Sequence, residues 1–327
     1  MYNKSFHNLP LSNLKFLVTG GAGFIGSNIV EYLLKHNAGK VRVLDNFSTG
    51  FRHNLKEFEG NSSLQIIDGD IRDLTTCRNA VLGMDYISHQ AALGSVPRSI
   101  NDPVTSNEVN ISGFLNILTA AKDEGVKKMV YAASSSTYGD SPALPKKEEN
   151  IGKPLSPYAV TKYVNELYGN VFSDIYNFHT IGLRYFNVFG PKQNPKGAYA
   201  AVIPIFIKSA LDNQRPFING NGEHSRDFTF VANAVQANIK ALFTEGIEKH
   251  EVVNVAFGQQ TTLNELWNKI CNLNGENILP QYREERMGDI KYSLADISKA
   301  NNLLGYQPEY SVSNGLEVAL EWYKKHE

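Results

Sequence analysis

Short apolar runs and segments of helical period alternate along the first half of the chain. KFLVT at 15–19 stops at a glycine cluster, and behind it Ile25, Ile29 and Leu33 recur at i, i+4, i+8, with Val30 and Leu34 beside them. That spacing predicts a helix with one apolar face. VRVLD at 41–45, LQIID at 64–68, DYISH at 85–89, KKMVYAAS at 127–134 and HTIGLR at 179–184 read as further strands. Helices are expected near 73–82, 106–124 and 157–177. Strands alternating with helices predict βαβ units and a parallel sheet covered on both faces, a doubly wound α/β domain.

Beyond Asn187 the rhythm breaks, with Pro191, Pro195, Pro204, Pro216 and glycines at 190, 197, 220 and 222. A helix near 233–245 and a strand near 251–256 suggest a return to the sheet, and helices near 261–273 and 312–326 suggest a smaller α/β lobe. The expected division is a nucleotide-binding domain over 1–187 with a return segment at about 227–257, and a second lobe from 188–226 and 258–327.

Composition narrows the function classes. The 327 residues carry 32 Lys plus Arg against 33 Asp plus Glu, a net charge of -1, which argues against a nucleic-acid or anionic-membrane binder. Cys77 and Cys271 lie far apart, so a disulfide framework is not expected and a reducing, cytoplasmic setting is. The eight histidines contain no HxxxH pair, so no metal site is expected. The first twenty residues lack the apolar core of a signal peptide, and the longest apolar run, from Ala198 to Ile207, is half a membrane span and contains Pro204.

The string TGGAGFIG, Thr19 to Gly26, joins the first strand to the first helix. Gly20, Gly23 and Gly26, with Gly21, satisfy both GxxGxxG and GxGxxG spacing, and the placement between strand and helix makes this a Rossmann-like dinucleotide turn. Glycines let backbone amides approach a pyrophosphate, and the helix N-terminus favours the anion. Asp45 ends the second strand, where a carboxylate takes the ribose hydroxyls and repels a 2′-phosphate, favouring NAD over NADP. Asn46 to Gly50 (NFSTG) offers further short donors, and Asp70 and Ile71 fall past the third strand, beside the adenine position.

Tyr158 and Lys162 share one face of a predicted helix that Ser156 can cap and Pro157 can begin. The cluster Ser134 to Gly139 (SSSTYG) follows the strand before it, at the strand end where such folds place ligands. A tyrosine acting as base near neutrality needs its pKa of about 10 lowered by roughly three units, which a nearby ammonium favours. A serine hydroxyl can relay the proton.

The whole pattern resembles the extended short-chain dehydrogenases/reductases, and within them is similar to the bacterial UDP-N-acetylhexosamine 4-epimerases. TGGAGFIG, DNFSTG, GDIRD, HQAALGSVPRSINDP, AASSSTYGD, SPYAVTKYVNE, LRYFNVFGP, GAYAAVIP, SRDF and the stretch from Arg286 to Lys299 match in order, from about Leu14 onward. The resemblance implies that Tyr158 takes the proton from the sugar 4-hydroxyl while hydride passes from C4 to NAD, then returns to the other face of a 4-keto intermediate. Lys162 would hold the nicotinamide ribose and lower the pKa of Tyr158, and Ser134 is the matching catalytic serine. It also implies cofactor contacts at Gly20, Gly23, Phe24, Ile25 and Gly26, at Asp45, Asn46, Ser48, Thr49 and Gly50, and at Asp70 and Ile71. Gln90, Ala91, Ala92, Tyr158, Lys162 and Tyr185 complete that set. For the UDP-sugar it implies Ser95, Ser135, Ser136, Asn187, Val202, Asn219, Arg226, Arg286, Asp289 and Ser293, with Ser135 and Ser136 lining the sugar pocket.

Two positions separate sister reactions. Dehydratases and decarboxylases of this group carry a carboxylate between the Ser/Thr and the Tyr of the serine string, where this chain has Ser135, Ser136 and Thr137. Simple 4-epimerisation is therefore expected. Ser293 aligns with a gate that is a large Tyr in epimerases confined to non-acetylated sugars, so UDP-GlcNAc and UDP-GalNAc are the expected pair. Acetylated uronate or UDP-glucose epimerisation is the alternative, and a catalytically silent NAD-binding regulatory module the rival of another class. Ala232 stands where an Asp is common, with Asn233 able to cap the next helix. Gly94 replaces a family lysine near the cofactor phosphates, leaving that contact to Ser95, to Arg98 or to none. No role is assigned to residues before Leu14. Apolar residues on more than one face, Phe114, Leu115, Ile117 and Leu118 in one helix and Val164, Leu167, Val171 and Ile175 in the other, predict a homodimer through a four-helix contact, as in the family.

Overall fold

The computed structural model describes residues 1–196, 200–285 and 291–326. Strands β1 (Lys15–Thr19), β2 (Lys40–Asp45), β3 (Leu64–Asp68), β4 (Tyr86–His89), β5 (Lys128–Ser134) and β6 (Thr180–Tyr185) open the chain. Short strands β7 (Val188–Phe189), β8 (Phe217–Asn219), β9 (Ser225–Asp227) and β10 (Thr229–Phe230) follow, then β11 (Glu251–Val255). Seven of these form one parallel sheet in the order β11-β6-β5-β4-β1-β2-β3. The strand order reverses at the β1/β4 pair, so a cleft opens beyond the carboxyl ends there.

Helices α1 (Phe24–Lys35), α2 (Leu74–Val81), α3 (Val96–Asn101), α4 (Pro103–Asn107), α5 (Phe114–Asp123), α6 (Pro157–Tyr176), α7 (Val202–Leu211) and α8 (Val231–Phe243) cover the sheet and begin the lobe. Consecutive strand residues feed opposite faces, as the pleat requires. Val18, Val43 and Val130 pack with Ile29 and Leu33 of α1 and Val235 and Ile239 of α8. Leu17, Leu44 and Met129 pack on the other face with Phe114, Ile117 and Leu118. Among the described residues no helix is long and apolar enough to cross a membrane.

Several expectations change. The helix expected at 106–124 is α4, a π turn over Glu108–Gly113 and α5. The wide turn swings out Asn110, which accepts from Leu93 N at 2.8 Å and donates to Leu93 O and Thr161 Oγ1. Pro204 falls in the first turn of α7, where a proline breaks no helical hydrogen bond. Asn233 does not cap α8, whose N-cap is Phe230. Its side chain instead binds the main chain of Glu309 and Tyr310. Residues before Leu14 are part of the core: Tyr2 and Leu11 are buried, Tyr2 donates to Asn28 Oδ1 at 2.9 Å, and Phe6 stacks on Tyr32. Phe114, Ile117 and Leu118 are spent on the sheet, so the exposed apolar stripe beside α6 comes from Ile100 and Val104 instead. On α6, Leu167, Val171 and Ile175 are exposed, and Val164 is half-buried.

Candidate active site

A cavity of about 580 Å³ lies at the carboxyl ends of the strands around the switch point. Its first wall is the turn from β1 into α1. Gly20 has φ +65°, and a Cβ there would sit 2.7 Å from Ala91 N, while one on Gly26 would sit 2.1 Å from Gly20 O. Only glycine lets this turn close so tightly. The N-cap of α1, Gly23, has no side-chain cap, leaving the first-turn amides facing the cavity. Phe24, Ile25, Asn46, Ser48, Thr49 and Gly50 line the same end.

Asp45 lines the cavity with its carboxylate already oriented: Oδ2 accepts from Ala22 N at 2.9 Å and Oδ1 from Phe47 N at 2.8 Å. Burial pushes its pKa up, against those two amides. Each oxygen keeps a second lone pair for a ribose hydroxyl. Asp70 is paired to Arg72 at 2.8 Å and accepts from Asn46, which holds its carboxyl down at about 2. Ile71 sits against Gly113 of the π turn.

The other end groups the Ser, Tyr and Lys side chains. Ser156 caps α6, accepting from Ala159 N, and Ser99 Oγ accepts from Tyr158 N at 3.0 Å, so the start of the helix is fixed at two points. Tyr158 and Lys162 both reach the cavity with Ser134 and Ser135. Burial pushes the Tyr158 phenol up, and the hydrogen bond from Ser134 pulls it back. Burial lowers Lys162 to about 8, and its Nζ donates to Ala132 O at 2.9 Å.

Tyr185 and Gln90 form the floor of the cavity, tied by a ring of buried groups. Asn238 Nδ2 donates to Tyr185 Oη at 2.6 Å, Tyr185 donates to Gln90 Oε1 at 3.1 Å, and Gln90 donates to Asn238 Oδ1 and Ser88 Oγ, each at 3.0 Å. Ala91, Ala92, Gly94 and Ser95 continue the lining, and Ser95 caps α3.

The substrate candidates divide. Ser95, Ser135 and Asn187 line the cavity. Ser136 stands behind them, its hydroxyl 2.9 Å from Ser134 Oγ. Asn219, Arg226 and Ser293 lie in the lobe outside the lining: Arg283 donates to Asn219 Oδ1 at 2.6 Å, Arg226 to Ser225 O and Lys291 O, and Ser293 N to Ser225 O. Val202 begins α7. Arg286 and Asp289 fall outside the described residues. Asn110, Ser99 and Asn238 were missed by sequence reading, because each acts through a partner far along the chain. Ala132 and Ala133, also in the lining, were legible in the AASSS string. Among the described residues no three His, Cys, Asp or Glu side chains converge as metal ligands.

A glycine-built anion turn, a ribose-facing carboxylate and a Ser–Tyr–Lys group around one cavity define a dinucleotide-dependent enzyme of the doubly wound class. Residues 16–256 match the NAD dependent epimerase/dehydratase family, and the chain belongs to it; NAD is its cofactor. The chain is 38% identical to the UDP-N-acetylglucosamine 4-epimerase of Methanobrevibacter ruminantium, solved with UDP-N-acetylmuramic acid, at a TM-score of 0.92 over 97% of this chain and 100% of that one. It is 34% identical to the UDP-glucose 4-epimerase of Mycolicibacterium smegmatis over 95% and 99% of the two chains. It is 32% identical to the UDP-glucuronic acid 4-epimerase of Bacillus cereus, solved with UDP-glucuronic acid and NAD, at a TM-score of 0.88 over 95% and 99%.

Proposed function

We propose that this chain is an NAD-dependent 4-epimerase that interconverts UDP-GlcNAc and UDP-GalNAc. The observation that carries the reading is the grouping of Ser134, Tyr158 and Lys162 around one cavity with no carboxylate in the Ser135–Thr137 turn. When bound, NAD accepts hydride from the sugar C4 and gives it back. The protein does the rest. The Gly20–Gly26 turn and the open first turn of α1 hold the pyrophosphate, and Asp45 holds the adenosine ribose. Tyr158 takes the proton of the 4-hydroxyl, with Ser134 stabilising the phenolate, and returns it after the sugar has turned over. Lys162 reaches the nicotinamide ribose. With no base near C5, elimination has no route in this turn, and Ser293 leaves room for a 2-acetamido group.

The relatives' names span acetylated, neutral and uronic sugars, so the test uses all three. Purified, NAD-loaded protein is incubated with UDP-GlcNAc, UDP-glucose and UDP-glucuronic acid, and the epimers are resolved by chromatography. UDP-GalNAc forming fastest is the expected result, and failure to epimerise any of them removes the reading.

We infer a homodimer through the exposed stripe of Leu167, Val171, Ile175, Ile100 and Val104, since α3 and α4 pack beside α6. Light scattering should give twice the chain mass, and Leu167→Glu with Val171→Glu should give the monomer.

A further inference from the structure

Four polar side chains meet at the floor of the cavity, between the sheet and the otherwise apolar inner face of α8. Ser88 lies on β4, Gln90 just past it, Tyr185 ends β6, and Asn238, fully buried, sits midway along α8. Asparagine disfavours a helix interior, and a buried one needs partners for its whole amide. One backbone group decides which way this amide points. Ala234 O, 2.8 Å away, can only accept, so the atom facing it is Nδ2 and the oxygen lies on the other side. The remaining directions follow from that. Asn238 Oδ1 accepts from Ser88 Oγ at 3.1 Å and from Gln90 Nε2 at 3.0 Å, which turns Gln90 Oε1 toward Tyr185. The second proton on Asn238 Nδ2 goes to Tyr185 Oη at 2.6 Å. The Tyr185 proton then goes to Gln90 Oε1 at 3.1 Å, and Gln90 Nε2 also donates to Ser88 Oγ at 3.0 Å. No bond in the ring can reverse, because a main-chain carbonyl fixes its starting point.

Every N–H and O–H of these four side chains is therefore committed, and only acceptor lone pairs remain. Main-chain donors beside them are committed too: Gln90 N to Thr19 O at 3.0 Å, Ala91 N to Thr19 Oγ1 at 3.3 Å, and Phe186 N to Val255 O at 3.0 Å. Burial pushes the Tyr185 phenol up, so its proton stays in place. Tyr185 and Gln90 line the cavity, and Tyr185 is the register partner of Ser134 across β5 and β6. It thus stands at the Ser134, Tyr158 and Lys162 end, the nicotinamide half for a dinucleotide held by Asp45 at the other. We propose that Asn238 is a positioning residue that sets this floor to accept and not to donate, which suits the carboxamide of the nicotinamide. A carboxamide brings an N–H2 to such a floor. A carboxylate in its place brings only lone pairs and a negative charge, and is refused.

The inference rests on NAD as the cofactor and not on the sugar, so its test reads binding without turnover. Dissociation constants are measured by equilibrium dialysis for NAD, 3-acetylpyridine adenine dinucleotide, nicotinic acid adenine dinucleotide and ADP-ribose, after exchange of any resident cofactor. The acetylpyridine analogue has a methyl group in place of the N–H2 and should bind wild type about tenfold more weakly than NAD. The nicotinic acid analogue sets a carboxylate against acceptors and should bind at least about a hundredfold more weakly. In Asn238→Leu, Gln90 and Tyr185 lose the group that orients them. Both preferences should then shrink to about threefold, while ADP-ribose, which has no nicotinamide, binds as to wild type. Wild type that holds the carboxylate analogue as tightly as NAD overturns the proposal. So does an Asn238→Leu protein that keeps both preferences, or one that loses ADP-ribose in step with NAD, which makes Asn238 a packing residue alone. If Asn238→Leu does not fold, Tyr185→Phe is read in its place, and it should lose the preference for NAD over the acetylpyridine analogue. Absence of epimerisation by wild type refutes the proposed function, while these constants still decide the role of Asn238.

Discussion

The sheet-side lining of the cleft and the lobe outside that lining are built differently. On the sheet side, runs of neighbouring residues supply the lining: TGGAGFIG after β1, the alanines and serines after β5, and the first turns of α6. They are fixed by the ends of parallel strands buried on both faces. On the lobe side, Asn219, Arg226 and Ser293 sit on or beside strands of two or three residues, each held by a few main-chain contacts. The lobe is staked to the sheet by Asp227, whose buried carboxylate gathers the amides of Phe257, Gly258 and Ala295. A rigid wall suits proton transfer, which needs fixed geometry. In a lobe of short strands, side chains can change without disturbing the sheet.

The largest effect belongs to the rigid wall. If Tyr158 is the proton acceptor, Tyr158→Phe removes it and leaves the glycine turn and Asp45 in place, so turnover should fall by at least about a hundredfold while NAD stays bound. Steady-state rates with cofactor absorbance on the purified variant check both. A variant that keeps its rate ends the assignment of Tyr158.

Acid stability separates the walls by sign. Burial pushes His89 down to about 3 and His250 down to about 4. Below about 6.5 the unfolded chain takes up protons that these folded histidines refuse, so stability falls as pH falls. Burial raises Asp227 to about 6, so the folded lobe takes up its proton first and gains stability as pH drops from about 6 toward the unfolded value near 3.8. At pH 5 the histidines cost about 2 kcal/mol each and Asp227 restores about 1, a net loss of about 3 kcal/mol relative to neutral pH. Denaturant unfolding at pH 7 and pH 5 measures it, and Asp227→Asn should steepen the loss. A flat profile contradicts the buried-histidine account.

The same division explains what was legible in the sequence. Period and glycine spacing are local signals, and they located the sheet, most of the covering helices and the glycine turn; the other cofactor-end residues were named by the motif resemblance, and they line the cavity. The π turn was not legible, because it exists to bring Asn110 to Leu93 and Thr161, contacts no periodicity encodes. Helix α3 has six residues and is held by its Ser95 cap and its packing on α6. The direction of the Ser136 hydroxyl is decided by a turn geometry that a serine string leaves open. In the lobe, motif matching named residues but could not assemble them, because β8, β9 and the segment near Ser293 come from distant parts of the chain.

Two glycine substitutions probe the contrast at smaller scale. A Cβ on Gly26 meets Gly20 O at 2.1 Å, where only backbone can give way. Gly26→Ala should cost about 2–3 kcal/mol and release NAD, as thermal unfolding and cofactor absorbance would report. Gly275, in the lobe after the helix over Leu263–Asn274, has φ +76° and nothing within 4 Å of an added Cβ. Gly275→Ala should cost only the left-handed strain of about 1 kcal/mol and leave NAD in place. Equal NAD loss in both variants would erase the distinction.

The smallest effect is expected at the lobe wall and is one of selectivity. Ser293 is half-buried, its amide bonded to Ser225 O on β9 through the main chain, so replacing its side chain leaves that bond intact. Ser293→Tyr adds a ring without touching Ser134, Tyr158 or the glycine turn. If this position gates the acetamido group, kcat/KM for UDP-GlcNAc should drop about tenfold or more against UDP-glucose, because a filled pocket rejects a larger group by steric exclusion. Thermal stability and NAD retention should stay at wild-type values, as a change confined to the lobe wall requires. An unchanged ratio of the two substrates refutes the gate, and a parallel fall in both would place Ser293 among the residues that hold the diphosphate end common to them.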